Sequence, residues 1–253
     1  MKQLLTILFL SMFSFAVIAS EDDHDDHDDD HDDHGGGHAH HPGDIIVEVE
    51  GGAIEVDTGV SILYKGNPAK LFESEFGEGL NPFETDEPGF IVEEDHSELV
   101  EHNALAFQIT SPLLFWDGAT WGSAGSASLD ISSVIPPYAV TTVDATSGLL
   151  TGIIDEADDH GGVHQHVDFE IDSNAATGGY LLEFVLKGFD SYDPATNSFG
   201  TEIASSDTIL IAFNYGMDEH DFEDGVSAIP VPAAAWLFIS ALGSLLFGRR
   251  LQK

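Results

Sequence analysis

Histidine and carboxylate occur together in two places in this chain, and both spacings suit metal ligands. The first is Glu21–Pro42, which reads Glu-Asp-Asp-His-Asp-Asp-His-Asp-Asp-Asp-His-Asp-Asp-His-Gly-Gly-Gly-His-Ala-His-His-Pro. Its seven histidines, His24, His27, His31, His34, His38, His40 and His41, fall within eighteen residues. Imidazole suits Zn, Cu, Ni and Fe, and carboxylate adds charge neutralisation. Protons stabilised by the neighbouring carboxylates compete with metal near neutrality. A run this poor in apolar residues and dense in like charge builds no core, so 20–42 is expected to be disordered without ligand. Ordering it around an ion costs entropy. That predicts several exchangeable sites of modest affinity, with zinc the expected ion. A solvated acidic spacer with incidental histidines is the competing reading.

The second place is Asp158-Asp-His-Gly-Gly-Val-His-Gln-His-Val-Asp-Phe-Glu-Ile171. Side chains alternate along a strand. Val163, Val167, Phe169 and Ile171 then share one face, with Gln165 its polar member. The other face carries His164, His166, Asp168 and Glu170. A turn at Gly161-Gly162 would bring His160 alongside, so the candidate metal set here is His160, His164 and His166 with Asp168. Three protein ligands leave a position open for water. Three readings compete: a solvent-facing polar strand, a metal site, and an enzyme. The last rests on His164-x-His166-x-x-x-Glu170, which resembles the first metal motif of cupins. The chain departs from that motif at Asp158, where cupins place glycine, and no later stretch supplies their second motif.

These residues must be carried by short elements. Asp44–Glu50, Ala53–Val56 and Val60–Tyr64 are β-branched runs separated by Gly51-Gly52 and Asp57–Gly59, as in hairpins. Further strands are expected at Ala104–Thr110, Leu113–Trp116, Ala127–Ile131, Ala139–Val143, Leu149–Ile154, Val163–Ile171, Tyr180–Leu186 and Thr208–Tyr215. Lys65–Glu94 is rich in Gly, Pro and acid and is expected to run over the surface. No stretch before the last 25 residues keeps a helical apolar period beyond three turns. The fold class is therefore all-β: a single antiparallel β-sandwich or jelly-roll-like domain over 43–217, followed by an acidic linker, 218–228. Trp116 and Trp121 mark a compact aromatic loop. Core or lid duty is the first expectation for them, and stacking on carbohydrate the second. His96 and His102, beside Glu98 and Glu101, read as solvated surface.

Charge and chemistry exclude several classes. The formal net charge is -39 with 7 Lys and Arg, so nucleic acid, which is bound through its phosphates, is not an expected partner. Divalent cations are. There is no cysteine, which removes thiolate sites and cysteine nucleophiles. No Gly-x-Ser-x-Gly, His-Glu-x-x-His or phosphate loop occurs, and the chain is read as non-catalytic.

The two ends speak of export. Met1–Ala19 has a Lys2 n-region, an apolar Leu4–Ile18 and the small-residue site Val17-Ile18-Ala19, the pattern of a secretory signal. Residues 229–253 begin Ile-Pro-Val-Pro-Ala-Ala-Ala-Trp-Leu-Phe, continue apolar to Gly248 and close on Arg249, Arg250 and Lys253. The apolar part is barely long enough for a transmembrane helix, which needs about 20 residues, and its arginines would stay cytoplasmic. Pro230, Pro232, Ala233, Ala234, Trp236, Leu237, Phe238, Arg249 and Arg250 resemble the PEP-CTERM sorting signal of Gram-negative bacteria, with Val231 where that motif has Glu. The resemblance implies recognition by an exosortase-type transpeptidase and delivery to the cell surface or an exopolysaccharide matrix. A plain membrane anchor is the alternative.

A second resemblance is carried by His41-Pro-Gly-Asp-Ile, Glu50-Gly-Gly, Glu87-Pro-Gly-Phe, Leu114-Phe-Trp-Asp-Gly, Gly162-Val-His-Gln-His-Val-Asp-Phe and Gly179-Tyr-Leu-Leu. Together they resemble a family of PEP-CTERM proteins repressed by the zinc-uptake regulator, which implies a role in zinc scarcity. The combined expectation is an exported, surface-associated protein that binds divalent metal. A structural or adhesive matrix protein is the rival.

Overall fold

The computed structural model describes residues 43–77, 81–136 and 138–229. The signal segment, the tract with His24, His27, His31, His34, His38, His40 and His41, and the tail with Pro230, Pro232, Ala233, Arg249 and Arg250 lie outside the described residues. In chain order the strands are β1 Ile45–Glu50, β2 Ala53–Val56, β3 Val60–Tyr64, β4 Asn67–Glu75, β5 Glu84–Thr85 and β6 Phe90–Ser97. Next come β7 Ala104–Ile109, β8 Leu114–Trp116, β9 Trp121–Ser123, β10 Ser128–Ser132, β11 Val140–Asp144, β12 Leu150–Glu156 and β13 Val163–Gln165. The rest are β14 Asp168–Ile171, β15 Gly178–Phe189, β16 Tyr192–Asp193, β17 Ser198–Phe199, β18 Glu202–Ser206 and β19 Thr208–Tyr215, followed by helix α1, Glu219–Ser227.

Alternation in β1 shows why these segments are strands. Ile45, Val47 and Val49 are buried, while Ile46, Glu48 and Glu50 face outward, the period of two that a half-covered sheet requires. Thirteen strands form one sheet, with a main path β13-β6-β1-β2-β18-β15-β19-β4-β3. Four more form a second sheet in the order β11-β10-β14-β5. The core draws on both: Leu129, Ile131, Phe169 and Ile171 of the smaller sheet join Phe184, Ile209, Ile211 and Phe213 of the larger. The rings of Phe169 and Phe213 stand 5.1 Å apart.

The architecture is all-β, as expected, with some departures. Most ladders are antiparallel, but β1 with β6, β2 with β18, and β4 with β19 are parallel. Lys65–Glu94 is not a surface excursion. It holds β4, β5 and the start of β6, and β4 lies between β19 and β3 with Leu71 and Phe72 buried. Pro68 hides this strand from a propensity reading, yet it sits near the strand's start, where proline is tolerated.

The acidic 218–228 segment is also more than a linker. Asp218 caps α1 by accepting from the His220 amide at 3.1 Å. Phe222 and Ile229 then cover Leu210, Ala212 and Leu181 on the outer face of the large sheet. This explains why β19 is buried on both faces from Ile209 to Phe213. Burying one phenyl ring contributes about 2–3 kcal/mol towards docking the helix. Trp116 is buried against Gly225 of α1, and the Trp121 Nε1–H donates to the Gly225 carbonyl at 2.7 Å. Both rings therefore serve helix docking, and the buried Trp116 presents no face to a sugar.

Candidate metal centre

The histidine stretch does not form one continuous strand. β13 ends at Gln165 in the large sheet, and β14 starts at Asp168 in the small one. His166 and Val167 make the crossing. Alternation of burial nevertheless continues through it: Val163, Val167, Phe169 and Ile171 are buried, while His164, His166, Asp168 and Glu170 are not.

Sheet register decides which side chains meet. β6 lies between β1 and β13. Ile45 pairs with Phe90 across one ladder, and Phe90 with Gln165 across the other. One step beyond these ladder ends come Asp44 and Gly89, each one residue earlier, and His166, one residue later, which continue the row just outside the strands. The row is held by the Ile45 amide, which donates to the Gly89 carbonyl at 2.9 Å, and the Gly89 amide, which donates to Asp44 Oδ1 at 3.0 Å. His164 shares the face of His166 two residues earlier, their rings 5.7 Å apart. Asp44, His164 and His166 thereby bring one ligand atom each within 4.8 Å of one another.

The donors are oriented as well as close. His166 Nδ1 lies 3.0 Å from the Asp86 carbonyl oxygen. A carbonyl only accepts, so Nδ1 carries the proton and Nε2 becomes the ring's acceptor nitrogen. That nitrogen is 4.0 Å from Asp44 Oδ1, while Nδ1 has Glu87 Oε1 at 3.9 Å. A backbone carbonyl on the distal ring nitrogen is the usual support of a metal-bound histidine. The Asp44 side chain is fully buried and that of His166 is 21 % exposed, so the site is shielded from water on the carboxylate side. Two imidazoles and one carboxylate suit zinc and neighbouring transition ions better than calcium or magnesium.

Of the four residues expected around one ion, only His164 and His166 fall in the same group. His160 belongs to a separate group with Glu94 and Asp158, whose ligand atoms also lie within 4.8 Å of one another. All three are exposed. The Gly161-Gly162 turn points His160 away from His164: Asp158 Oδ1 accepts from the His160 and Gly162 amides, both at 2.9 Å. These backbone bonds hold the Asp158 carboxyl below its ordinary range. Asp168 has crossed to the small sheet, where it pairs with Ser132. Partial burial, together with Glu84 and Asp86, raises its carboxyl above the ordinary range. His96, His102 and His220 sit beside exposed Glu48, Glu101 and Glu223 respectively, as solvated surface histidines do.

Sequence reasoning missed Asp44 as a ligand. Its available signal was a lone acid directly ahead of the apolar Ile45-Ile46-Val47 run. Nothing in one sequence connects it to His166, 122 positions later, without the ladder register. An acidic cleft of about 640 Å³ adjoins this region, with Gly43, Glu73, Glu75, Glu87, Glu219 and Glu223 in its lining. Such a wall raises the local concentration of cations. Comparison with protein-family models, curated proteins and solved structures gives no match to this chain, so the geometry carries the functional reading.

Proposed function

We propose that this protein binds a divalent transition metal, zinc in the first instance, at Asp44, His164 and His166. The observation that carries the reading is the in-register Asp44–Gly89–His166 row with His164 beside it. It sets a buried carboxylate and two imidazoles around one point, with His166 oriented by the Asp86 carbonyl. The scaffold is read as a β-sandwich whose two sheets share one core. The site is read as one of binding and not of catalysis, since no nucleophile with a partnering base was found in the sequence.

The histidine–aspartate tract 20–42 is proposed as a weaker, multi-ion reservoir upstream of the same domain. Export, sorting by an exosortase-type transpeptidase and residence at the cell surface or in an exopolysaccharide matrix rest on Met1–Ala19 and the tail alone. Together these make a surface protein that captures scarce zinc. The test is zinc titration of the full chain against a chelator of intermediate strength, with elemental analysis. One ion per chain that resists the chelator, and disappears with His164→Ala, supports the reading. Equal zinc content in wild type and His164→Ala would sink it.

A further inference from the structure

Asp44 directly precedes β1 and His166 directly follows β13, two strands that are not neighbours. Adjacent strands run about 4.8 Å apart, so the flanking positions of a three-strand row are separated by about twice that distance. A side chain at the central position would stand between them. Here the central position is Gly89. A Cβ built on it would lie 2.5 Å from His166 Nε2, 2.6 Å from His166 Cε1 and 2.9 Å from Asp44 Oδ1. Those approaches are too short for carbon. A methyl at Gly89 would therefore stand between the two donor atoms and close the approach by which one ion reaches both.

We infer that Gly89 is the specificity-determining residue of this site, the floor on which the ion sits. The inference rests on the metal-binding reading above and deepens it. Gly89 acts in two ways. Its missing side chain makes room between Asp44 and His166, and its amide fixes Asp44 Oδ1 at 3.0 Å. No positive φ is recorded at Gly89, so backbone conformation does not demand glycine here. What demands it is the pair of donors overhead. With the peptide plane of Gly89 closing one side and the Asp44 carboxylate buried, further ligands can reach an ion only from the histidine side. The coordination number stays low. This selects a compact ion that accepts nitrogen and four-fold geometry, and rejects calcium, which seeks 6–8 oxygens at about 2.3–2.6 Å.

The experiment compares wild type with Gly89→Ala in the full chain, using zinc, cobalt(II) and calcium as probes. Wild type should hold one zinc against the chelator and give the intense visible cobalt bands of a four-coordinate site, with no calcium competition. Gly89→Ala keeps every donor, yet its zinc affinity should fall by at least about 100-fold, the upper end of what supporting-shell changes cost, and the intense cobalt bands should vanish.

Loss through misfolding is separated by a second comparison. Metal-free Gly89→Ala should be less stable than wild type, and Gly89→Ala combined with His166→Ala should regain most of that stability, because the two shortest approaches of the new methyl are to the His166 ring. Full zinc affinity in Gly89→Ala overturns the role of Gly89 while leaving the metal reading standing. Calcium displacing zinc from wild type also overturns it. No chelator-resistant zinc in wild type removes the metal reading itself.

Discussion

Two histidine–carboxylate groups flank the β6–β13 pair, and they differ in how they are held. Glu94, Asp158 and His160 come from the β6 strand and the turn leading into β13, and all three side chains are exposed. His164 lies in β13, Asp44 directly precedes β1 and His166 directly follows β13, and the three meet at the start of β6. The donor types are similar in the two groups, and so is the spread of ligand atoms. What separates them is preorganisation. In the exposed group the His160 ring is 65 % accessible and leans on Asp159 at 2.8 Å, so an ion must displace water and fix mobile side chains. In the half-buried group sheet register has already fixed the donors, and backbone groups orient two of them. Order that folding has supplied need not be supplied again on binding. Donor identity therefore nominates a site, and the scaffold grades it.

The contrast can be broken most directly at the half-buried group. Asp44→Asn, which keeps the shape and one acceptor oxygen but removes the charge, is expected to lower zinc affinity by more than about 100-fold, beyond the cost of a supporting-shell change. Competitive titration measures this, and an affinity within a few-fold of wild type would refute the assignment of Asp44 as a ligand. Next in size is the structural share of the same residue. In chelator, Asp44→Ala strands the buried Gly89 amide and should cost about 1–3 kcal/mol in denaturant unfolding, whereas Asp44→Asn should cost much less. If both variants unfold alike, the Asp44–Gly89 hydrogen bond is not what holds the row.

Smaller effects sharpen the comparison from the other side. His160→Ala should leave the chelator-resistant ion in place and change only the weakly held fraction, by a few-fold at most, as expected for an exposed and screened group. Loss of the tight ion in that variant would mean that the two groups act as one. The smallest effect concerns the acidic cleft. Burial, and secondarily Glu223, raises the Glu73 carboxyl above its ordinary 4.5. The folded state thus holds this proton more tightly than the unfolded chain. The group's stabilising contribution is present below pH 4.5 and is lost as pH rises through the folded value. Glu73→Gln should accordingly raise stability near neutrality by about 0.5 kcal/mol or less after solvent screening, with the two melting curves converging below pH 4.5. A stabilisation that persisted unchanged in acid would contradict this.

Legibility in the sequence followed local pattern closely. β2, β3 and β19 are short β-branched or apolar runs set between turn residues, and their observed limits are those expected from the chain. β4 was hidden by Pro68 and by its charges, because its apolar residues serve two different cores, Leu71 under α1 and Phe72 in the central one. Neither face alone shows a clean period. Helix α1 was hidden for a related reason. Its apolar positions are few, and only the docking of Phe222 on the outer face of β19 and of Gly225 on Trp116 makes an acidic segment worth ordering.

The candidate site divides along the same line. Composition by itself determined that this chain can attract cations and offer imidazole, and the period of two determined that His164 and His166 share a face. Those are properties of residue type and of neighbours along the chain. Which carboxylate joins them was decided only by the tertiary structure. The parallel β1–β6 ladder and the antiparallel β6–β13 ladder set Asp44, Gly89 and His166 in one row, while the sheet crossing at Val167 carried Asp168 away. Strand pairing joins residues far apart in sequence, and a shift of one residue in either ladder would have put a different side chain in that row.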